Sequence, residues 1–128
     1  MREIKFRAWD RKFKKWTSYS IDDGLLMFYD DYAECWEIGR EGERFILCQY
    51  TGLKNINGEE IYEGDIVRAL GFSKWIGVAK YSDKNQAFVF EDIDKNYRGN
   101  IVFMSQFDQG FKILGNIYEN PELLDEVR

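Results

Sequence analysis

Four carboxylates crowd one short stretch, Glu59, Glu60, Glu63 and Asp65, and such a group could move protons or hold a divalent cation. Proton transfer needs a carboxyl whose pKa its surroundings have moved, and a cation needs oxygens that converge. These four flank Asn57-Gly58 and Gly64, where acidic side chains commonly cap backbone amides or face water. They are therefore read as turn-formers. Thr51 and Ser105 lack a histidine base, because the chain contains none. Cys35 and Cys48 lie thirteen positions apart with no CxxC pair, which leaves a zinc site without its ligands. They are expected as buried thiols in a reducing compartment, with a Cys35–Cys48 bridge as the lesser alternative. Gly115-Asn116 lacks the further glycines of a dinucleotide loop, and Ala87-Phe88-Val89-Phe90 lacks the glycines and leading base of an RNA-binding strand. No cofactor, no metal and no enzymatic activity are expected.

Charge offers more. Residues 1–15 hold seven bases against two acids, and residues 22–43 hold eight acids against one base, within a chain of net charge −5. Lys5, Arg7, Arg11, Lys12, Lys14 and Lys15, interleaved with Trp9 and Trp16, form a candidate contact surface. Phosphates would meet the bases and nucleic-acid bases would stack on the rings. The plainer reading is a solvated hairpin whose field the acidic segment cancels, since an acidic protein repels nucleic acid at long range. A third reading joins the basic block of one subunit to the acidic block of another, a heterologous contact that builds rings when the rotation closes. Self-association is favoured over nucleic acid, and another protein is a further candidate partner.

These residues need a frame, and the frame is β. The 10 Phe, 8 Tyr and 4 Trp suit pleated, half-buried surfaces. Ile4, Phe6 and Ala8 alternate with Lys5, Arg7 and Trp9 in a first strand. Asp10-Arg11-Lys12 reads as a turn, and Phe13–Ile21 as the returning strand. Residues 22–44 read equally as a short helix or a strand pair. Phe45–Tyr50 is a strand and Thr51-Gly52-Leu53 a turn. Asn57-Gly58 is the signal for a type I′ hairpin, in which both central residues take positive φ. Further strands are expected over Asp65–Leu70, Trp75–Tyr81, Ala87–Ile93, Asn100–Phe107 and Phe111–Tyr118, a spacing that suits a small sandwich or barrel. Gly64-Asp65-Ile66-Val67 followed by Gly77-Val78 suits an SH3-like barrel. Asn120 as cap, Pro121 at the first helical position and Glu122 predict a short terminal helix, with Leu123, Leu124 and Val127 as its stripe. The opening MREIKFRAWD has no apolar run of a signal peptide, and no segment is apolar enough to span a bilayer, so a cytoplasmic setting is expected.

Arg2–Asp10 (REIKFRAWD), Gln49–Val67 (QYTGLKNINGEEIYEGDIV) and Gly115–Leu124 (GNIYENPELL) resemble, in wording, order and spacing, the YopX-like family of phage and prophage proteins. The chain departs from that pattern at Asn55-Ile56 and Glu59-Glu60, where more basic residues belong; this changes surface charge, not turn chemistry. The resemblance implies a mainly β protein, an SH3-like barrel in the C-terminal half and a bacterial or phage cytoplasmic setting. It implies no reaction and no catalytic residue, and it makes a host or phage protein a further candidate partner.

The expectation is thus a mainly β chain of two parts: an N-terminal hairpin region with its acidic segment over 1–48, and an SH3-like barrel with a short C-terminal helix over 49–128. Gly52, Asn57, Gly58, Gly64, Asp65, Asn120 and Pro121 fix its turns and cap. Its expected function is that of a non-catalytic, self-associating interaction module, with nucleic-acid binding through the basic hairpin as the alternative.

Overall fold

The structure, a computed structural model, describes residues 3–39, 44–55, 57–70, 75–93, 101–103 and 110–126. The chain is mainly β and divides into two compact units, one of Ile4–Gln49 and one of Met1–Glu3 with Tyr50–Arg128.

In the N-terminal unit, β1 (Phe6–Asp10) lies between β2 (Lys15–Thr17) and the first half of β6 (Phe45–Lys54), both antiparallel to it. A second layer is the meander β3 (Tyr19–Asp22), β4 (Leu25–Asp30) and β5 (Cys35–Ile38). The expected return strand over Phe13–Ile21 is therefore two strands. The chain changes layer at Ser18, whose carbonyl accepts the Tyr29 N–H at 3.0 Å. Ala8, Phe28 and Phe45 form the buried core of this unit, with Tyr19, Leu26 and Leu47 packed on it. The Phe28 and Phe45 rings stack at 4.5 Å between the layers. Gly39 must be glycine, because a Cβ there would collide with the Phe28 ring.

The open question over residues 22–44 resolves as strands. Asp23 and Gly24 both take positive φ, 49° and 79°, which makes the β3–β4 connection the type I′ hairpin. Asn57-Gly58 is not one: the turn bond runs from the Gly58 N–H to the Asn55 carbonyl, so this pair ends the turn and is not its centre, and Gly58 is left-handed at φ 82°. Asn55 organises that turn instead. Its carbonyl accepts the Gly58 N–H, and its side-chain oxygen accepts the N–H groups of Asn57 and Glu59. A side chain that satisfies two amides holds the turn by its own hydrogen bonds.

In the C-terminal unit, β8 (Asp65–Ala69), β9 (Ile76–Ser82), β10 (Ala87–Asp92), β11 (Ile101–Phe103) and β12 (Phe111–Asn116) form one antiparallel sheet in the order β11-β10-β9-β8-β12. Most of the strand expected over Asn100–Phe107 lies outside the described residues. The end of β6 pairs with β7 (Glu60–Tyr62). Thr51-Gly52-Leu53 is not a turn but a bulge inside β6, with Gly52 at φ 88°. The Thr51 hydroxyl repairs the interrupted ladder, donating to the Ile61 carbonyl at 2.7 Å and accepting the Leu53 N–H at 3.2 Å. Ile61, Val67, Ala69, Ala79, Phe90 and Phe111 form the core.

The described terminal helix, α1 (Leu123–Glu126), is a single turn that begins two residues after Pro121. Asn120 does not cap it in the expected way. Its side-chain oxygen accepts the Asn116 N–H, four residues upstream, and that side chain occupies the space a Cβ on Gly115 would need. Val127 of the expected apolar stripe lies outside the described residues.

Candidate interaction surfaces

β1 and β4 end in the same device. Asp10 Oδ1 accepts the N–H groups of Lys12 and Phe13 at 2.9 and 3.4 Å, and Asp30 Oδ1 accepts those of Tyr32 and Ala33 at 2.9 and 3.1 Å. Each four-residue turn closes on a left-handed residue, Lys14 at φ 54° and Glu34 at φ 53°. Each opens into a cross-strand aromatic pair, Trp9–Trp16 at 4.9 Å and Tyr29–Trp36 at 5.3 Å. One turn carries Arg11, Lys12 and Lys14; the other carries Asp31 and Glu34. The rings of Phe13 and Tyr32 stack across them at 3.8 Å.

Arg44 binds the two turns together. Its Nε and Nη2 donate to both oxygens of Asp10, at 3.0 and 2.9 Å, and its Nη1 donates to Asp30 at 2.9 Å and to Glu37 at 3.5 Å. The guanidinium also lies over the Phe13 and Phe45 rings, 5.1 and 4.7 Å from their centroids. Backbone N–H groups, that of Ala33 foremost, and the Arg44 guanidinium bring the Asp30 carboxyl down to about 2. Burial pushes Asp10 up, but the hydrogen bonds from Arg44 and the Lys12 amide outweigh it and leave the carboxyl below its ordinary value. The bidentate Asp10 pairing in turn raises the Arg44 pKa.

The expected contact surface is therefore divided. Trp9 is buried and Lys5, Arg7 and Trp16 are half-buried. The Arg7 guanidinium sits 4.2 Å over the Trp16 ring, so that ring already has a cation on its face. Lys15 pairs with Asp31, which raises its pKa. Arg11, Lys12 and Lys14 are exposed at the turn. The basic and acidic blocks that the sequence set apart meet within one unit through Lys15–Asp31 and Arg44.

Sequence reasoning missed a second surface. The pairings Met27↔Ile38 and Tyr29↔Trp36 put Leu25, Met27, Tyr29, Trp36 and Ile38 on the face of β3–β4–β5 opposite Phe28. Leu25, Trp36 and Ile38 are 49%, 45% and 67% exposed. The alternation of this strand was hidden because both of its faces are apolar. Cys35, expected buried, is exposed at the start of β5; Cys48 is buried, and both are free thiols.

The acidic stretch of the C-terminal unit serves the backbone. Asp65 is 2% exposed and accepts the Tyr62 N–H at 2.8 Å, while Glu59 accepts from the Asn55 amide at 3.0 Å. Gly64 bridges neighbours, donating its N–H to Ala79 and accepting that of Ile117, and a Cβ there would come 2.7 Å from the Tyr118 ring. Among the described residues no three His, Cys, Asp or Glu converge as a metal site. No helix among them is long and apolar enough to cross a membrane. A cavity of about 510 Å³ lies beside Glu63 and Gly64.

The YopX protein family matches the chain over residues 5–125. The crystal structure of protein EF1440 from Enterococcus faecalis is 27% identical, with a TM-score of 0.60, covering 97% of this chain and 99% of that one. Protein yopX from Bacillus subtilis is 17% identical with a TM-score of 0.54, covering 96% and 98%, a likeness of fold. No curated protein matches.

Proposed function

The chain belongs to the YopX protein family, and from that footing we propose that it is a non-catalytic interaction module that self-associates through the outward face of β3–β4–β5. One observation carries the reading. Of the seven large apolar side chains exposed among the described residues, six (Ile4, Ile21, Leu25, Tyr32, Trp36 and Ile38) belong to the N-terminal unit. Leu25, Trp36 and Ile38 share one face and together offer roughly 350 Å² of accessible surface, the size of a typical monomer's largest apolar patch, which is often functional. The described side chains of that face, Ser20, Leu25, Met27, Tyr29, Trp36 and Ile38, carry no formal charge, so these residues of two copies can meet without opposing like charges. β5 is an edge strand, and antiparallel pairing of an edge strand with its own copy is two-fold symmetric by construction.

With this function goes an SH3-like barrel in the C-terminal unit, a reading supported by the return of β12 to pair beside β8 at the head of the β8–β9–β10–β11 meander. A bacterial or phage-borne cytoplasmic setting belongs to the same proposal.

Size exclusion with light scattering tests self-association. The expected mass exceeds 15.3 kDa, persists as salt rises because the contact is apolar, and falls to the monomer in Ile38→Lys. A monomer at high protein concentration overturns the reading. The nucleic-acid alternative draws on the exposed Arg11, Lys12 and Lys14, and the acidic turn packed beside them opposes it. Retention of DNA or RNA at low salt that disappears on replacing these three by Glu would favour it.

A further inference from the structure

We propose that Asn57 is a site of spontaneous modification, where the side-chain amide is lost to water through a cyclic imide, and that Asn55 sets the rate. The site lies in the C-terminal unit and does not depend on self-association. In the first step the backbone nitrogen of Gly58 gives up its proton and bonds to Cγ of Asn57. The bond from Cγ to the side-chain nitrogen breaks, and that nitrogen leaves as ammonia. Water then opens the imide at either of its carbonyls. One opening leaves an ordinary aspartyl residue; the other leaves an isoaspartyl link, with the main chain running through the former side chain. No oxidant or reductant is consumed.

The reaction needs an uncommitted carboxamide and a following nitrogen that can be approached. Five asparagines fall among the described residues: Asn55, Asn57, Asn85, Asn116 and Asn120. Four of these side chains are held. Asn55 accepts the N–H groups of Asn57 and Glu59 and donates to the Glu59 carboxylate. Asn85 donates to the Ser82 hydroxyl, Asn116 donates to Glu119 and accepts two amides, and Asn120 accepts the Asn116 N–H. Isoleucine follows Asn55 and Asn116 in sequence, and branching at Cβ hinders attack by its nitrogen. Proline follows Asn120 and has no N–H to lose. Asn57 differs on both counts. It is exposed, and its carboxamide makes no hydrogen bond to the described residues. Gly58 comes next, also exposed, with nothing within 4 Å of the place a Cβ would take.

The same turn restrains the attack. The Gly58 nitrogen, which must act as nucleophile, donates to the Asn55 carbonyl at 3.0 Å, and Asn55 Oδ1 holds the Asn57 N–H at 3.0 Å. Modification therefore waits on local opening of the turn. An isoaspartyl link adds a methylene to the main chain between amides that Asn55 holds at fixed spacing, those of Asn57, Gly58 and Glu59. A turn lengthened in this way loses the fit to Asn55, and with it the closure of the β6–β7 pairing at Lys54↔Glu60.

Peptide mass spectrometry decides the matter, on the full chain incubated folded at mildly alkaline pH in ordinary and in heavy-oxygen water. Fragmentation should place an amide-to-acid mass gain on residue 57 and not on residue 55, with heavy oxygen incorporated and two separable products. Peptides carrying Asn85, Asn116 and Asn120 should stay unchanged over the same period. Asn57→Gln should remove the conversion. Asn55→Ala should speed it about tenfold, the worth of the side-chain hydrogen bonds that hold the turn. Should that variant not fold, a low concentration of urea, which opens the native turn, should speed it instead. Absence of conversion in the folded chain, conversion spread evenly over the five asparagines, or a rate unmoved in a folded Asn55→Ala chain would each overturn the assignment.

Discussion

Among the described residues, six side chains around Phe90 in the C-terminal unit are shut from solvent in one apolar cluster; around Phe28 in the N-terminal unit there are three. The smaller unit adds a guanidinium shared by three carboxylates and clamped between two rings. Among the described residues it also leaves more large apolar side chains in water. A stretch as short as Ile4–Gln49 cannot enclose enough surface to rest on burial alone. The comparison teaches that the ionic clasp and the exposed apolar face have one origin: a two-layer sheet too small to cover itself.

The largest expected effect breaks the comparison on the apolar side. Phe90→Ala should cost about 4 kcal/mol, read from denaturant unfolding, with amide exchange rising at Val67 and Ala79; a loss below 1 kcal/mol would mean that this core collapses freely onto the gap. Next comes the clasp. Arg44→Ala leaves the buried Asp10 carboxylate without its bidentate partner and should cost about 3 kcal/mol, with exchange rising at Ala8 and Phe28. An unchanged unfolding midpoint would remove Arg44 from any structural role.

Acid sharpens the contrast. Asp30, at about 2 against an ordinary 3.8, and Asp10, also lowered, are protonated more readily in the unfolded chain. Their contribution is complete above about pH 4 and is lost as pH falls towards about 2. Amide signals of the N-terminal unit should therefore fade first in an acid titration, and Arg44→Ala should weaken that pH dependence; simultaneous loss in both units would refute the assignment. The smallest effect belongs to Lys15→Ala. Its partner Asp31 is as exposed as it is, so the unfolding midpoint should not move measurably.

Local signals in the sequence read well where one residue decides. The alternation over Ile4–Trp9 becomes β1, and the glycines of the Gln49–Val67 stretch do sit at bends and bulges. Errors arose where a neighbour took over. Asn57-Gly58 invited a type I′ turn, but Asn55 caps that loop, while the same two-residue signal at Asp23-Gly24, within a stretch left undecided, forms the hairpin. Asn120 caps a strand end because Gly115 leaves room for it. Arg44 was invisible: its partners at 10, 30 and 37 share no spacing, and only packing brings them together. Opposite charge blocks suggested contact between subunits; the nearer solution is contact between adjacent turns of one unit.

Of the two thiols, Cys35 meets solvent and Cys48 does not. A maleimide spin label added to the native chain will therefore settle at one position, on the strand that borders the uncharged face. Dipolar spectroscopy on such a sample would report the separation of copies that associate as proposed, without any engineered residue, and a sample with no dipolar signal would hold separate chains.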